Sequence, residues 1–136
     1  MRTHHATLVA ISLTLFGTTT VWADDTHINR DCDNGAPMLE VNHCASFKFA
    51  EADAEMNELY KEKLASAKSP ASKKRFRDAQ RAWLTFRDKV CLYEAGLDNE
   101  SGSIWPFHQF GCMEFYTKRR IDDFKVYLKC TTDDCP

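Results

Sequence analysis

The sequence has little of what sheets and turn-rich folds require. Glycine and proline number five and four among 136 residues, and no stretch alternates apolar and polar residues with the two-residue period of a strand. No internal repeat is visible. After residue 23 no apolar run is long enough to cross a membrane. Neither C-x-x-C nor H-x-x-x-H spacing occurs, and beyond residue 23 the histidines are His27, His43 and His108 alone, so a zinc site or a thiol enzyme has no support. G-x-S-x-G, S-x-x-K and a phosphate-cradling glycine loop are also missing, which removes the common serine hydrolases and nucleotide binders. Charge of one sign is lacking too. The formal net charge is −2 with both signs mixed along the chain, so no basic stripe points to nucleic acid or to an anionic membrane.

What is present begins with a leader. Arg2 supplies a positive start, Ala6 to Gly17 is mostly apolar, and Val21-Trp22-Ala23 places small residues suitably for a cut before Asp24. Residues 1–23 are expected to be a secretory signal peptide, and residues 24–136 a single domain in the periplasm or outside the cell. No cysteine stands at the cut, so no lipid anchor is expected. Arg2 is the only formal charge in the leader, which leaves −3 on the remainder. All six cysteines lie in that remainder, and an even count behind a leader argues for disulfides in an oxidising compartment. Spacing leaves every full pairing open. The local set Cys32–Cys44, Cys91–Cys112 and Cys130–Cys135 is the expectation, each of the first two contributing about 3 kcal/mol by loop closure.

Helical periodicity fills the rest. After an extended arm from Asp24 to Gly35, a first helix is expected from about Pro37 to Ala67, with Phe49, Ala52, Met56, Tyr60 and Leu64 on its apolar arc. Ser69 then caps and Pro70 opens a second helix, which runs to about Ala95 and ends at Gly96. Leu97 to Trp105 reads as a loop. Pro106 opens a third helix, on which Phe110, Met113, Thr117, Ile121, Phe124 and Leu128 recur at steps of three and four. The expected architecture is all-α: a disulfide-linked antiparallel bundle of about three helices.

On the second helix Phe76, Ala79, Trp83, Leu84, Phe86 and Val90 form one broad apolar arc, yet Gln80 and Arg87 fall in its middle. A buried guanidinium is costly unless paired and hydrogen-bonded. The first helix offers the partner, since Asp53 lies inside its apolar arc with Asn57 one turn on. The spacing therefore predicts a buried ion pair, Asp53 with Arg87, completed by Asn57, Tyr60, Gln80 and Thr117, with Trp83 stacked on the guanidinium. Removing one partner is expected to cost about 3–5 kcal/mol. If the pair instead faces solvent with Tyr60, it would suit an active site; the structural role is the preferred reading. The loop is the candidate recognition surface: Asp98, Glu100, Ser103, Ile104 and Trp105 combine acids, adaptable polar groups and a tryptophan. In the alternative, Ile104 and Trp105 fold back onto the bundle.

Three blocks of these residues resemble the LprI-like lysozyme inhibitor family. Ala52-Asp53-Ala54-Glu55-Met56-Asn57-Glu58-Leu59-Tyr60 is similar to A-D-x-x-L-N-x-x-Y, with Met56 in the leucine place. Gln80 to Cys91 is similar to Q-x-x-W-x-x-[YF]-R-D-x-x-C. Gly102-Ser103, Cys112 and Thr117-Lys118-Arg119-Arg120 are similar to G-S … C … T-x-x-R. The resemblance implies an exported, disulfide-linked helical domain that is not an enzyme and, for some members, inhibition of lysozyme. No cofactor is expected, and the expected partner is a peptidoglycan-degrading enzyme, lysozyme or an amidase. The founding member looks like a lipoprotein, whereas this chain lacks the anchoring cysteine. Alternatives are an immunity protein against a peptidoglycan amidase delivered by type VI secretion, and an envelope structural or stress protein.

Overall fold

The computed structural model describes residue 32 and residues 35–130. The expected signal segment, most of the arm after it and the tail past Cys130 lie outside the described residues. Three long helices carry the fold: α1 (Met38–Ser66), α2 (Pro70–Ala95) and α4 (Trp105–Lys129). A single helical turn, α3 (Asp98–Ser101), and a 3-10 turn over Gly102–Ile104 join α2 to α4. All described regular structure is helical, as the sequence periodicity implies.

Each boundary has a local cause. Pro37 precedes α1, and its carbonyl accepts from the Glu40 and Val41 amides. The Ser69 hydroxyl accepts from the Ser72 amide at 3.1 Å, with Pro70 as first helical residue of α2. Gly96 closes α2 at φ 73°, a conformation that costs a residue with a Cβ about 1–2 kcal/mol. A Cβ there would also meet Ser101 Oγ at 3.0 Å.

The run expected to be a loop is thus mostly wound. The Leu97 carbonyl accepts from the Glu100 and Ser101 amides, and Ser101 Oγ donates to the Ala95 carbonyl at 2.9 Å. Leu97 to Ile104 becomes a tight corner because its own backbone and serine groups satisfy one another.

The helices run up, down and up. Asn42 Nδ2 donates to the Ser103 carbonyl, Phe49 stacks on Phe110 at 5.9 Å, and Lys63 Nζ donates to the Tyr127 carbonyl. Those three levels make α1 and α4 parallel, and theirs is the most extensive packing in the bundle. α2 lies antiparallel to both, tied to α4 by the buried disulfide Cys91–Cys112. A second disulfide ties Cys32 to Cys44 of α1. Cys130 is disulfide-bonded as well; its expected partner, Cys135, lies outside the described residues.

Two apolar clusters fill the interior. Cys32, Val41, Ala45 and Phe107 pack at one end. Ala52, Met56, Ile121 and Phe124 pack further along, backed by Tyr60, Phe76, Trp83 and Leu84. Between them lies a polar layer.

Candidate functional site

The polar layer is built on Arg87, which is 6% exposed. Its Nη1 donates to Asp53 Oδ1 and to Thr117 Oγ1, both at 3.2 Å. Its Nε and Nη2 donate to Asp88 Oδ1 at 3.0 and 2.9 Å. Phe49 and Trp83 lie over the guanidinium at 5.3 and 5.5 Å. Asn57 Nδ2 in turn donates to Asp53 Oδ2 at 2.9 Å. One side chain of α2 is therefore bonded to α1 and to α4 at once, which fixes the register of three helices.

The pair is less enclosed than its position on the helical arcs implies. The Asp53 side chain is 34% exposed, because Asp53 stands at the α1–α2 seam where those helices barely pack. Two other members sit elsewhere. Tyr60 lies two turns further along α1, stacked on Phe76 at 5.3 Å. Gln80 Oε1 accepts from a different arginine, Arg120, at 3.0 Å.

Arg120 is a second buried guanidinium, 8% exposed. Its Nη1 donates to Asp123 at 3.1 Å, and the rings of Phe124, Trp83 and Tyr127 lie 4.6, 5.6 and 6.0 Å from it. Trp83 thus carries two cations, Arg87 held by Asp53 and Asp88, and Arg120 held by Asp123. Tyr60 is stacked on Phe76 and stands apart from Asp53 and Arg87, and the bonds of Arg87 hold α1, α2 and α4 together. Among the described residues, no group of three or more His, Cys, Asp and Glu could hold a metal ion.

The outward face is different in kind. Trp105 is turned inward, its Nε1 donating to the Gly96 carbonyl at 2.9 Å, so the tryptophan is a brace for the corner and not an exposed anchor. Asp98, Glu100, Ser103 and Ile104 remain exposed. Beside them runs a row along α2 at steps of three and four: Phe86, Val90, Tyr93 and Leu97. Tyr93 is 86% exposed and Phe86 53%, although Phe86 belongs to the expected apolar arc. Phe86 meets Tyr116 edge-on at 5.7 Å, and the Tyr116 hydroxyl donates to Glu94 at 3.2 Å. Between Phe86 and Ile104 the sequence carries Asp88, Glu94, Asp98 and Glu100 against Arg87 and Lys89; Arg87 is buried and takes up Asp88, on the far side of α2 from the row, which leaves three acids and one cation. The first half of α2 is the reverse: Lys73, Lys74, Arg75, Arg77 and Arg81 accompany one acid, Asp78. Asp78 accepts from Lys74 at 2.6 Å, and that hydrogen bond, despite some desolvation, holds its pKa below the ordinary value, with the charges of Lys74, Arg81 and Arg77 adding to it.

The sequence pattern of the family described as "Lysozyme inhibitor LprI" matches residues 32–124. This chain belongs to that family. The LprI match takes in both described disulfides and both buried arginines. A relative in the bacterium Rhizobium meliloti (strain 1021), an uncharacterised protein, is 30% identical over 113 residues, covering 73% of this chain and 79% of the relative. No solved structure gives a significant match.

Three features of this LprI domain escape sequence reasoning. Arg120 hides in the basic run Lys118-Arg119-Arg120, which reads as solvated; the one signal is its place three residues after Thr117, on the same helix face. Asp88 follows Arg87 directly, and neighbouring residues on a helix do not face each other; the long arginine arm bends back to reach it. Glu114 is buried and paired with Lys118, an acid one turn from its cation that looks like any surface pair.

Proposed function

We propose that this protein is an exported, non-enzymatic inhibitor of a cell-wall hydrolase of the lysozyme type, and that it meets the enzyme with the acidic, aromatic end of α2 and the corner that follows. The family's name supports the target class. The observation that carries the surface is Tyr93, a tyrosine almost wholly in solvent, in line with Phe86 and Leu97 and followed closely in the sequence by Glu94, Asp98 and Glu100. Exposed apolar rows rimmed by polar groups mark interaction sites on soluble domains, and aromatic residues dominate the energy of such contacts. Charge of one sign around the row steers a basic partner and raises its on-rate. Disulfides fit an extracytoplasmic location, and no described helix is long and apolar enough to cross a membrane. A leader over residues 1–23 that delivers the chain to the periplasm completes the reading.

The mechanism is occlusion. The buried polar layer and the Cys91–Cys112 bond hold α2 and its corner rigid, so little conformational entropy is lost on binding. The row then fills apolar subsites while the acids pair with basic groups at the cleft. Titration of purified, oxidised protein against lysozyme tests this. Activity should fall toward zero near equimolar ratio, less steeply as salt rises. Tyr93→Lys should abolish inhibition while stability changes by less than about 0.5 kcal/mol. Full lysozyme activity at stoichiometric excess would refute the target, and an unimpaired Tyr93→Lys variant would refute the surface.

A further inference from the structure

We propose that the cavity at the opposite, basic end of α2 is a binding site for a small carboxylate carried on a flat apolar body. The cavity measures about 380 Å³ and lies between the C-terminal turns of α1 and α4 and the first half of α2. That volume is within the range of ordinary small-molecule sites. Phe76, Trp83 and Tyr127 give it aromatic walls; Lys63, Arg75 and Arg120 give it cations, and no Asp or Glu lines it.

Arg120 supplies the built part of the site. Its Nε is spent on Gln80 and its Nη1 on Asp123, while Nη2 makes no hydrogen bond among the described residues. The guanidinium lines the cavity and is clamped by three rings, so its remaining donor is held in place and needs no ordering when a ligand arrives. Arg75, exposed near the rim, has no ion pair or hydrogen bond among the described residues. A carboxylate leaving water here finds a charge-assisted donor in place of its hydration, which is the condition for burying such a group at all. The single open edge of Arg120 and the nearby Asp123 favour a singly charged carboxylate over a doubly charged phosphate. The aromatic walls favour a flat ring, and the surplus of cations turns away bases. This site shares no residue with the face proposed to meet the hydrolase, so each can fail without the other.

An NMR titration of the oxidised protein with indole-3-acetate, and with uncharged indole-3-acetamide as the matched control, tests the assignment. Binding of the acid should saturate with a Kd of roughly a millimolar or tighter. The shifts should centre on the Trp83 indole N–H and the Arg120 side chain. The amide should bind at least about tenfold more weakly. Arg120→Gln removes a core group and is a poor probe, so two surface changes carry the test. Arg75→Gln should weaken the acid several-fold, and Ala79→Phe, which fills the cavity from its rim, should abolish binding while leaving thermal unfolding and lysozyme inhibition as in wild type. Equal affinity for acid and amide, shifts centred elsewhere, or an Ala79→Phe protein that titrates like wild type would each overturn the proposal.

Discussion

Replacing Asp53 and Arg87 one at a time separates a sealed ion pair from the three-way clamp described above. A fully buried pair that loses either partner is destabilised by about 3–5 kcal/mol, because the survivor is left charged and dry. Here the two sides differ. Asp53→Ala removes one 3.2 Å bond from Nη1, yet Asp88 still holds Nε and Nη2 and Thr117 still accepts from Nη1. The Asp53 side chain is also 34% exposed, so much of its attraction is screened, and the cost is about 1–2 kcal/mol. Arg87→Ala removes every one of those bonds, leaves the fully buried Thr117 hydroxyl without its donor, strips the cation from Phe49 and Trp83 and opens a cavity between three helices. That cost is about 3–5 kcal/mol. In urea at neutral pH the midpoint should move at constant m for both variants, at least twice as far for Arg87→Ala. For a domain of this size the melting temperature should drop by roughly 5–10 °C for Asp53→Ala and by more than about 15 °C for Arg87→Ala. Equal losses, or a larger loss for Asp53→Ala, would refute the clamp.

Gly96→Ala should cost about 1–2 kcal/mol in the same assay, because alanine must adopt φ 73° with its Cβ against Ser101 Oγ; an unchanged midpoint would show that the corner relaxes freely. Replacing both Cys91 and Cys112 by alanine should cost about 3 kcal/mol, since their bond closes a loop of 21 residues, and should weaken lysozyme inhibition as the corner loosens. Lys125 donates to Glu55 across the α1–α4 seam at 2.8 Å. That bond, outweighing some desolvation and aided by the Glu55 and Asp122 charges, raises the lysine's pKa. A raised pKa in the folded state contributes stability below the ordinary lysine value and loses it as pH climbs through the raised one. Melting temperature should therefore decline in alkaline buffer more steeply for wild type than for Lys125→Met.

Much of the scaffold is legible in the residues because its signals are local. Ser69-Pro70 and Gly96 mark the ends of α2 through cap chemistry that needs no tertiary information. Asp53 and Arg87 stand out because each violates an apolar arc, and two violations of opposite sign invite pairing. The face of α2 is harder to read. Hydrophobic weight pulls the arc toward Phe86, whereas the buried stripe is Gln80, Arg87, Cys91 and Ala95, centred roughly 135° from Phe86 by helix geometry. The polar residues define the inside because a second helix supplies their partners, and that is a tertiary fact. Trp105 shows the same limit: a tryptophan in a Ser- and Gly-rich run suits a binding tip equally well until the Gly96 carbonyl is found within reach of its indole. The cavity beside Arg120 is invisible along the chain, being assembled from three helices whose liners look ordinary one at a time.

Hydrogen exchange of the protein with and without lysozyme would locate the bound surface. New protection should be confined to residues 86–104, the second half of α2 and its corner, with the outer faces of α1 and α4 unchanged. Protection centred on α1 or α4, or none at saturating lysozyme, would contradict the proposed surface.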